Sequence, residues 1–341
     1  MLETTWFILW GVLWAVYFVL DGYDLGMGTL APLLAKSERD RRMMLNAAGP
    51  FWDGNEVWLL TAGGVTFAAF PGTYAVMFSG LYSALMLLLF SLILRGVSFE
   101  FRNKVESATW RKLWDLGHFL GSFLPALLLG VAFANIFKGI PIDAHGVNQG
   151  GLLDLLNLYG LAGGLLFVIV FAQHGAIWLA IKTEGELHER ALETAKMLWL
   201  PLLVMAVMFL VMSAVYTKLY ANFIASPALF VILAVAVVGL LAIRLFLGQK
   251  APGKAFAASA ATIIGVTLFG VVGIYPSLLP SSLNPAWSMT ITNSASSPLT
   301  LKIMLGVALT FVPIVIAYQT WVHVKFSHKI TDADLAEDEA Y

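Results

Sequence analysis

Long apolar runs separated by short polar stretches dominate the chain. Their spacing predicts nine membrane-spanning helices over residues 6–33, 51–70, 74–95, 117–137, 157–181, 198–220, 226–247, 256–276 and 301–325. Each run is near or above the roughly 20 residues needed to cross a hydrocarbon core. The first is longer than a bilayer needs and is expected to tilt or to project into water. The second is the least apolar, because it holds Asp53, Glu56 and the pair Gly63-Gly64, and only Pro71-Gly72-Thr73 divides it from the third. Ser277–Thr300 is too polar to span and reads as an outer loop, and Asp332–Tyr341 reads as an acidic, disordered tail.

Basic residues test this map. Of the 20 Lys and Arg residues, all but Lys138, Lys218 and Lys302 fall in or beside the loops that follow the odd-numbered spans. The excess of positive charge in cytoplasmic loops then places the N-terminus outside and the C-terminus in the cytoplasm. Removing the second span would break the alternation, so the charges favour nine helices over eight. Spans one to four and five to eight share an order of long and short connections, a parallel repeat of two four-helix bundles plus one extra helix. The reading is a single membrane domain over 1–341, with bundles at 1–137 and 157–276, a ninth helix at 301–325 and a cytoplasmic tail at 326–341. Gly22/Gly26, Gly117/Gly121 and Gly160/Gly164 have the spacing of close helix contacts.

Composition agrees: 59% hydrophobic residues, 12% charged residues and a mean hydropathy of +0.82 belong to an integral membrane protein. The chain has no cysteine, which excludes disulfides, thiolate-held iron–sulfur clusters and covalent c-type haem within it. The opening residues Met1-Leu2-Glu3-Thr4-Thr5-Trp6 lack a basic leader and a cleavage site, so the first apolar segment reads as a retained helix.

Against this background the acids are the chemistry. Asp21 and Asp24 lie on one face of the first span, about 22 and 27 Å along it from Trp6. A carboxylate at the centre of a bilayer costs about 2.5–3.5 kcal/mol on insertion scales. They are read either as an interior proton relay or helix contact, or as anchors near the inner interface. Trp52-Asp53-Gly54-Asn55-Glu56-Val57-Trp58 follows Pro50 where a basic loop re-enters the membrane. Helix initiation explains acids there; a hydrated mouth for protons explains why tryptophans and an asparagine crowd around them. Glu100, Arg102, Lys104, Glu106 and Asp115 read as a solvated cytoplasmic loop, with Glu100 and Arg95 lining a polar path as the sharper alternative. His118 and His174 do not form a recognisable haem-ligand pair, and His174 reads as a hydrogen-bonded packing residue. No Walker loop, metalloprotease His pair or nucleophile elbow is present, and no metal or nucleic acid is expected.

Several segments together resemble subunit II of the cytochrome bd-type quinol oxidases. They are Asp21–Gly28, Arg41–Asn46, Trp52–Asn55 running on to Thr61–Gly64, Gly121–Pro125, Gly130–Asn135, Gly185–His188, Pro276–Ser282 and Ser297–Leu301. The resemblance implies a haem-poor subunit of a bacterial or archaeal cytoplasmic (inner) membrane. Its haem-bearing partner, subunit I, would carry two b-type haems and one d-type haem, oxidise quinol and reduce dioxygen to water. Subunit II would stabilise that partner and contribute a path for cytoplasmic protons, with no haem ligated by this chain and no activity alone. Room remains for a small accessory subunit, for a bound quinone or lipid, and for an apolar oxygen route. On the matching motif Asp53 is the proton-path residue; Glu56, Glu100 and Arg95 join it as proton-path candidates, and Asp21, Asp24, Trp52 and Asn55 are read as interface or intramembrane polar residues. Glu100 stands where the family often has Asp, Gly96 where Pro is familiar, and the loop between spans six and seven is short.

Two other readings compete. A secondary transporter or channel would use the parallel repeat and intramembrane carboxylates in isolation. A purely structural membrane subunit would use its acids only to join helices.

Overall fold

In a computed structural model, which describes residues 1–336, the chain is an all-α membrane protein. Among these residues eight helices are long and apolar enough to cross a membrane. They are α1 (Leu2–Leu34), α5 (Tyr82–Phe101), α6 (Ala108–Lys138), α7 (Leu158–Lys182), α8 (Gly185–Tyr216), α10 (Phe230–Gly248) with the turn before it, α11 (Pro252–Ile274) and α12 (Pro298–Lys325). The second expected span is α3 (Trp52–Ala69), 18 residues and less apolar, lying against α1. Nine is therefore an approximate count, reached only when α3 is included.

The helices differ from the apolar pattern in three places. The basic loop after α1 contains an eleven-residue helix, α2 (Glu38–Ala48). Ser37 Oγ accepts from the Asp40 amide, and the Asp40 carboxylate accepts from the amides of Ser37 and Lys36, a capping box that starts the helix. Met43, Met44 and Leu45 then turn inward. The third span is broken at Leu81 into α4 (Pro71–Gly80) and α5, where Asn148 Nδ2 donates to the Gly80 carbonyl. Short α9 (Tyr220–Ala225) fills the connection from α8 to α10.

α1 is the central post, touching α3, α6, α7, α11 and α12. Its approach to α7 depends on two glycines. A Cβ at Gly26 would sit 1.8 Å from the Phe171 carbonyl oxygen, and one at Gly175 would sit 2.4 Å from the Met27 amide nitrogen. Gly121 does the same for α6 against α5, since a Cβ there would lie 2.6 Å from the Arg95 nitrogen. In lipid the helices gain little from burying apolar surface against one another, so such backbone contacts carry the packing.

The two ends of the bundle differ. One end gathers the basic loops, α2 and the segment after α12. The other carries the hairpin β1 (Ser277–Leu279) with β2 (Met289–Thr290), pinned by the bonds of Ile140 to Pro280 and Ser282 and by the Thr73–Ser294 hydroxyl pair at 2.8 Å. The acidic tail needs correcting where it is described. Ile330 bonds the Lys182 carbonyl, Arg39 pairs with Asp332 at 2.5 Å, Arg42 donates to the Leu335 carbonyl, and Asp334 closes a turn on Thr331. Residues through Ala336 are thus ordered, and the remainder of that expected tail lies outside the described residues.

Gly26→Val places branched carbons inside the Phe171 backbone. We expect it to abolish recovery of the folded subunit from detergent-solubilised membranes, whereas Gly248→Ala, at a position with open space around it, leaves recovery unchanged. Size-exclusion profiles of the two variants measure this.

Candidate functional site

The site is assembled by α1, α3 and α5. Asp21 is fully buried on α1, and one of its oxygens accepts from Arg95 Nη2 of α5 at 2.7 Å. Arg95 is itself fully buried. The same nitrogen donates to Glu56 of α3 at 3.2 Å. One turn further along α1, the second oxygen of Asp24 accepts from Asn55 Nδ2 at 2.7 Å. Asn55 also donates to the Tyr23 hydroxyl at 2.7 Å. Three carboxyl groups therefore stand around one guanidinium inside membrane-spanning helices.

Burying an ion is costly unless it is paired, and removing one member of a buried pair costs about 3–5 kcal/mol. Asp21 and Arg95 answer each other. Glu56 adds an acid at the edge of the pair, with 22% of its side chain exposed, and Asp24 has no cation in hydrogen-bond contact among the described residues. Several polar atoms here have no partner within the described chain: Asp21 Oδ2, Asp24 Oδ1, Arg95 Nε and Nη1, and the Tyr17 hydroxyl. Acid in excess of base, with hydrogen-bonding capacity to spare, is chemistry suited to taking up and passing on protons.

Of the residues singled out by sequence, Asp21, Asp24, Asn55, Glu56 and Arg95 come together. Asp53 lies one turn before Glu56 on the exposed face of α3. Glu100 is exposed near the end of α5, five residues from Arg95 and on a different face of the helix. Trp52 stacks on Phe99, rings parallel to within 3° and 5.3 Å apart, between those regions. Sequence did not disclose that Arg95 is the counter-ion of Asp21. The available signal was a lone arginine inside an apolar run, five residues before Glu100, where the charged stretch begins.

The expected solvated loop is wrong for Arg102, whose side chain is only 1% exposed. It binds Glu38 of α2 through two nitrogens at 2.8 and 2.9 Å and Asp115 of α6 at 2.7 Å. Asp115 also meets Arg41 at 3.5 Å. This latch fastens α2 across the ends of α5 and α6. A second latch joins Arg190 of α8 to Asp40 at 2.7 Å. Lys182 donates to the carbonyls of Phe326 and His328, closing the end of α12.

Both ring nitrogens of His174 are engaged: Nε2–H donates to the Val19 carbonyl at 3.0 Å, and Nδ1 accepts from the Ser259 hydroxyl at 2.9 Å. His118 Nδ1 bonds Ser98 Oγ at 3.1 Å. Among the described residues no group of three or more His, Asp or Glu side chains could hold a metal ion.

Fold and site together define a multi-pass, all-helical membrane protein with an ionisable cluster buried among its first helices. Comparison with known proteins is specific. The family described as cytochrome bd terminal oxidase subunit II matches residues 2–326, and the chain belongs to that family. It is 39% identical to the probable cytochrome oxidase subunit 2 of Haemophilus influenzae, over 95% of this chain and 94% of that protein. It is 36% identical to the cytochrome bd ubiquinol oxidase subunit 2 of Bacillus subtilis, over 97% of both chains. The same identity is found with cytochrome bd-I ubiquinol oxidase subunit 2 of Escherichia coli strain K12, over 98% of this chain and 97% of that one. A chain of the bd oxidase from Geobacillus thermodenitrificans shares the fold, with a TM-score of 0.74 at 19% identity over 95% of this chain and 98% of that one.

Outside the membrane, the hydrogen bonds from Arg102 hold the Glu38 carboxyl below its ordinary value of 4.5. A depressed acid stabilises the fold above its unfolded value and loses that contribution as pH falls through the lower folded one. Thermal unfolding of the protein should therefore become easier as pH drops below 4.5, and Glu38→Gln should flatten part of that dependence.

Proposed function

We propose that this chain is the haem-poor subunit of a bd-type quinol:oxygen oxidoreductase, and that it stabilises a haem-bearing subunit I and supplies protons to it from the cytoplasm. Family membership supports the complex. The observation that carries the proton role is the arrangement of Asp53 at the surface, Glu56 one turn away, and the Arg95–Asp21 pair behind it. Dioxygen reduction consumes protons, and hydrocarbon conducts none unless acids and polar groups are lined up through it. Haem, held by the partner, supplies the redox chemistry. This chain's residues offer a surface carboxylate to receive a proton, a second carboxyl to relay it, and a guanidinium to hold the buried negative charge in place.

Sidedness follows from the basic residues that meet at one end of the bundle; that end is cytoplasmic and the N-terminus lies outside. Subunit I sits on the face formed by α3, α5 and α12. Leu301 is the one buried residue of α12 among those described. Gly63 and Gly64 of α3 and Gly306 of α12 have nothing of this chain within 4 Å of a built Cβ. Glycines on a lipid-facing surface have no packing role, but against another helix they permit close approach. A transporter acting alone would leave that face without purpose.

In the assembled oxidase, Asp53→Asn is expected to lower oxygen consumption at least about tenfold while haem content stays intact, the scale of losing one proton-transfer group. Wild-type turnover at full haem loading removes Asp53 from the path. Asp21→Asn and Asp24→Asn are expected to weaken association of the two subunits in detergent; unchanged co-purification limits both residues to the proton path.

A further inference from the structure

The Tyr23 hydroxyl lies between two partners on different helices. On one side it accepts from Asn55, whose amide nitrogen also holds Asp24. On the other it meets His323 Nε2 of α12 at 3.4 Å. His323 Nδ1–H donates to the Gln319 carbonyl at 2.8 Å, so its Nε2 is the nitrogen open to the tyrosine proton. The tyrosine ring is fixed by stacking on Trp178 at 4.4 Å, and the imidazole lies against Phe51 at 4.6 Å. Gln319 ties the same turn of α12 to α3, donating to the Gly54 carbonyl at 2.7 Å and accepting from Trp58 Nε1 at 2.8 Å. His323 is half-buried, in the last turn of α12 at the basic end of the bundle.

We infer that His323 and Tyr23 form a second proton entry, separate from Asp53, which delivers to Asp24 from the α12 side. The inference rests on the proton role proposed above and adds a route to it. A protonated imidazole at Nε2 gives its proton to the Tyr23 oxygen while that oxygen releases its own toward the Asp24 carboxylate. The two oxygens each lie 2.7 Å from the Asn55 nitrogen, and transfer between them requires one bridging water. The imidazole ends neutral, the carboxylate ends as a carboxylic acid, and tyrosine is unchanged. The 3.4 Å separation closes with a small rotation of the imidazole, while Gln319 keeps this turn of α12 against α3.

The ionisable groups around His323 come from four helices. Lys182 of α7 lies 5.6 Å from the far ring of Phe51, Lys325 follows two residues on in α12, Asp24 and Tyr23 stand on α1, and Asp53 and Glu56 on α3. Among the described residues none of them forms an ion pair with His323. This entry needs the imidazole protonated, so its contribution falls as pH rises.

The test is oxygen consumption by the purified complex with its haem-bearing partner from about pH 5.5 to 8.5. Tyr23→Phe deletes one oxygen and keeps the stacked ring; His323→Gln keeps a polar side chain without a titrating one. Each is expected to lower turnover about threefold at the acid end of that range and by less at the alkaline end, because the route needs a protonated imidazole. The double variant should be no slower than either single one. If both variants trace the wild-type pH profile while Asp53→Asn is slowed, the second entry is refuted and the proton role stands. If Asp53→Asn is also unaffected, the underlying role fails and the second entry fails with it. Where His323→Gln does not assemble, Tyr23→Phe decides alone, and an equal loss at every pH marks a structural effect and overturns the route.

Discussion

The contact on which the membrane interior depends is the one between Arg95 and Asp21. Neither side chain is exposed, and each would be a bare charge in hydrocarbon without the other. Their meeting sets demands on the backbone. α5 must lie close enough to α6 for Gly121 to fit beneath Arg95, and α1 must lie close enough to α7 for Gly26 to meet Phe171. Once those crossings are made, Glu56 and Asn55 of α3 are drawn to the same point and the remaining acids acquire neighbours. Charge pairing and small-residue packing are therefore one constraint seen from two sides.

Outside the hydrocarbon the same problem has a different solution. Arg102 and Lys182 are buried and Arg190 half-buried where the loops fold back, and each is answered by carboxylates or by carbonyls at a helix end. These latches fasten α2 and the segment after α12 across the bundle, which holds Tyr23, Asn55 and His323 in register from three different helices. The face of α3 and α12 is left uncovered by the rest of the described chain, and it is where we propose that subunit I docks. The buried cluster thus sits one helix layer behind that face, with Asp53 at its edge.

Hydropathy located the helices because a membrane leaves the backbone few options: an apolar run must be helical to satisfy its own hydrogen bonds. It was weakest where side chains override it. The break at Leu81 follows from Asn148, 67 residues later, taking the Gly80 carbonyl, and no local pattern announces that. Helix α2 was written locally, in the Ser37–Asp40 capping box, but the density of charge around it disguised it as loop. Arg102 was misread for the same reason, since a charge in a loop is ordinarily solvated and only the approach of Glu38 and Asp115 makes it otherwise.

The sequence by itself determined that the chain crosses the membrane many times, which end carries the positive loops, and that acids of the first two spans are its unusual chemistry. Those features are local, resting on the cost of exposing polar groups to lipid and on periodicities a few residues long. Its ordered motifs also pointed to the family that comparison then established. Tertiary structure decided which charge answers which: Arg95 with Asp21, Asn55 with Asp24 and Tyr23, His323 with that tyrosine. Coulomb attraction and hydrogen bonding act over a few ångströms in space, and residues separated by up to 300 positions reach that range only when the helices have packed.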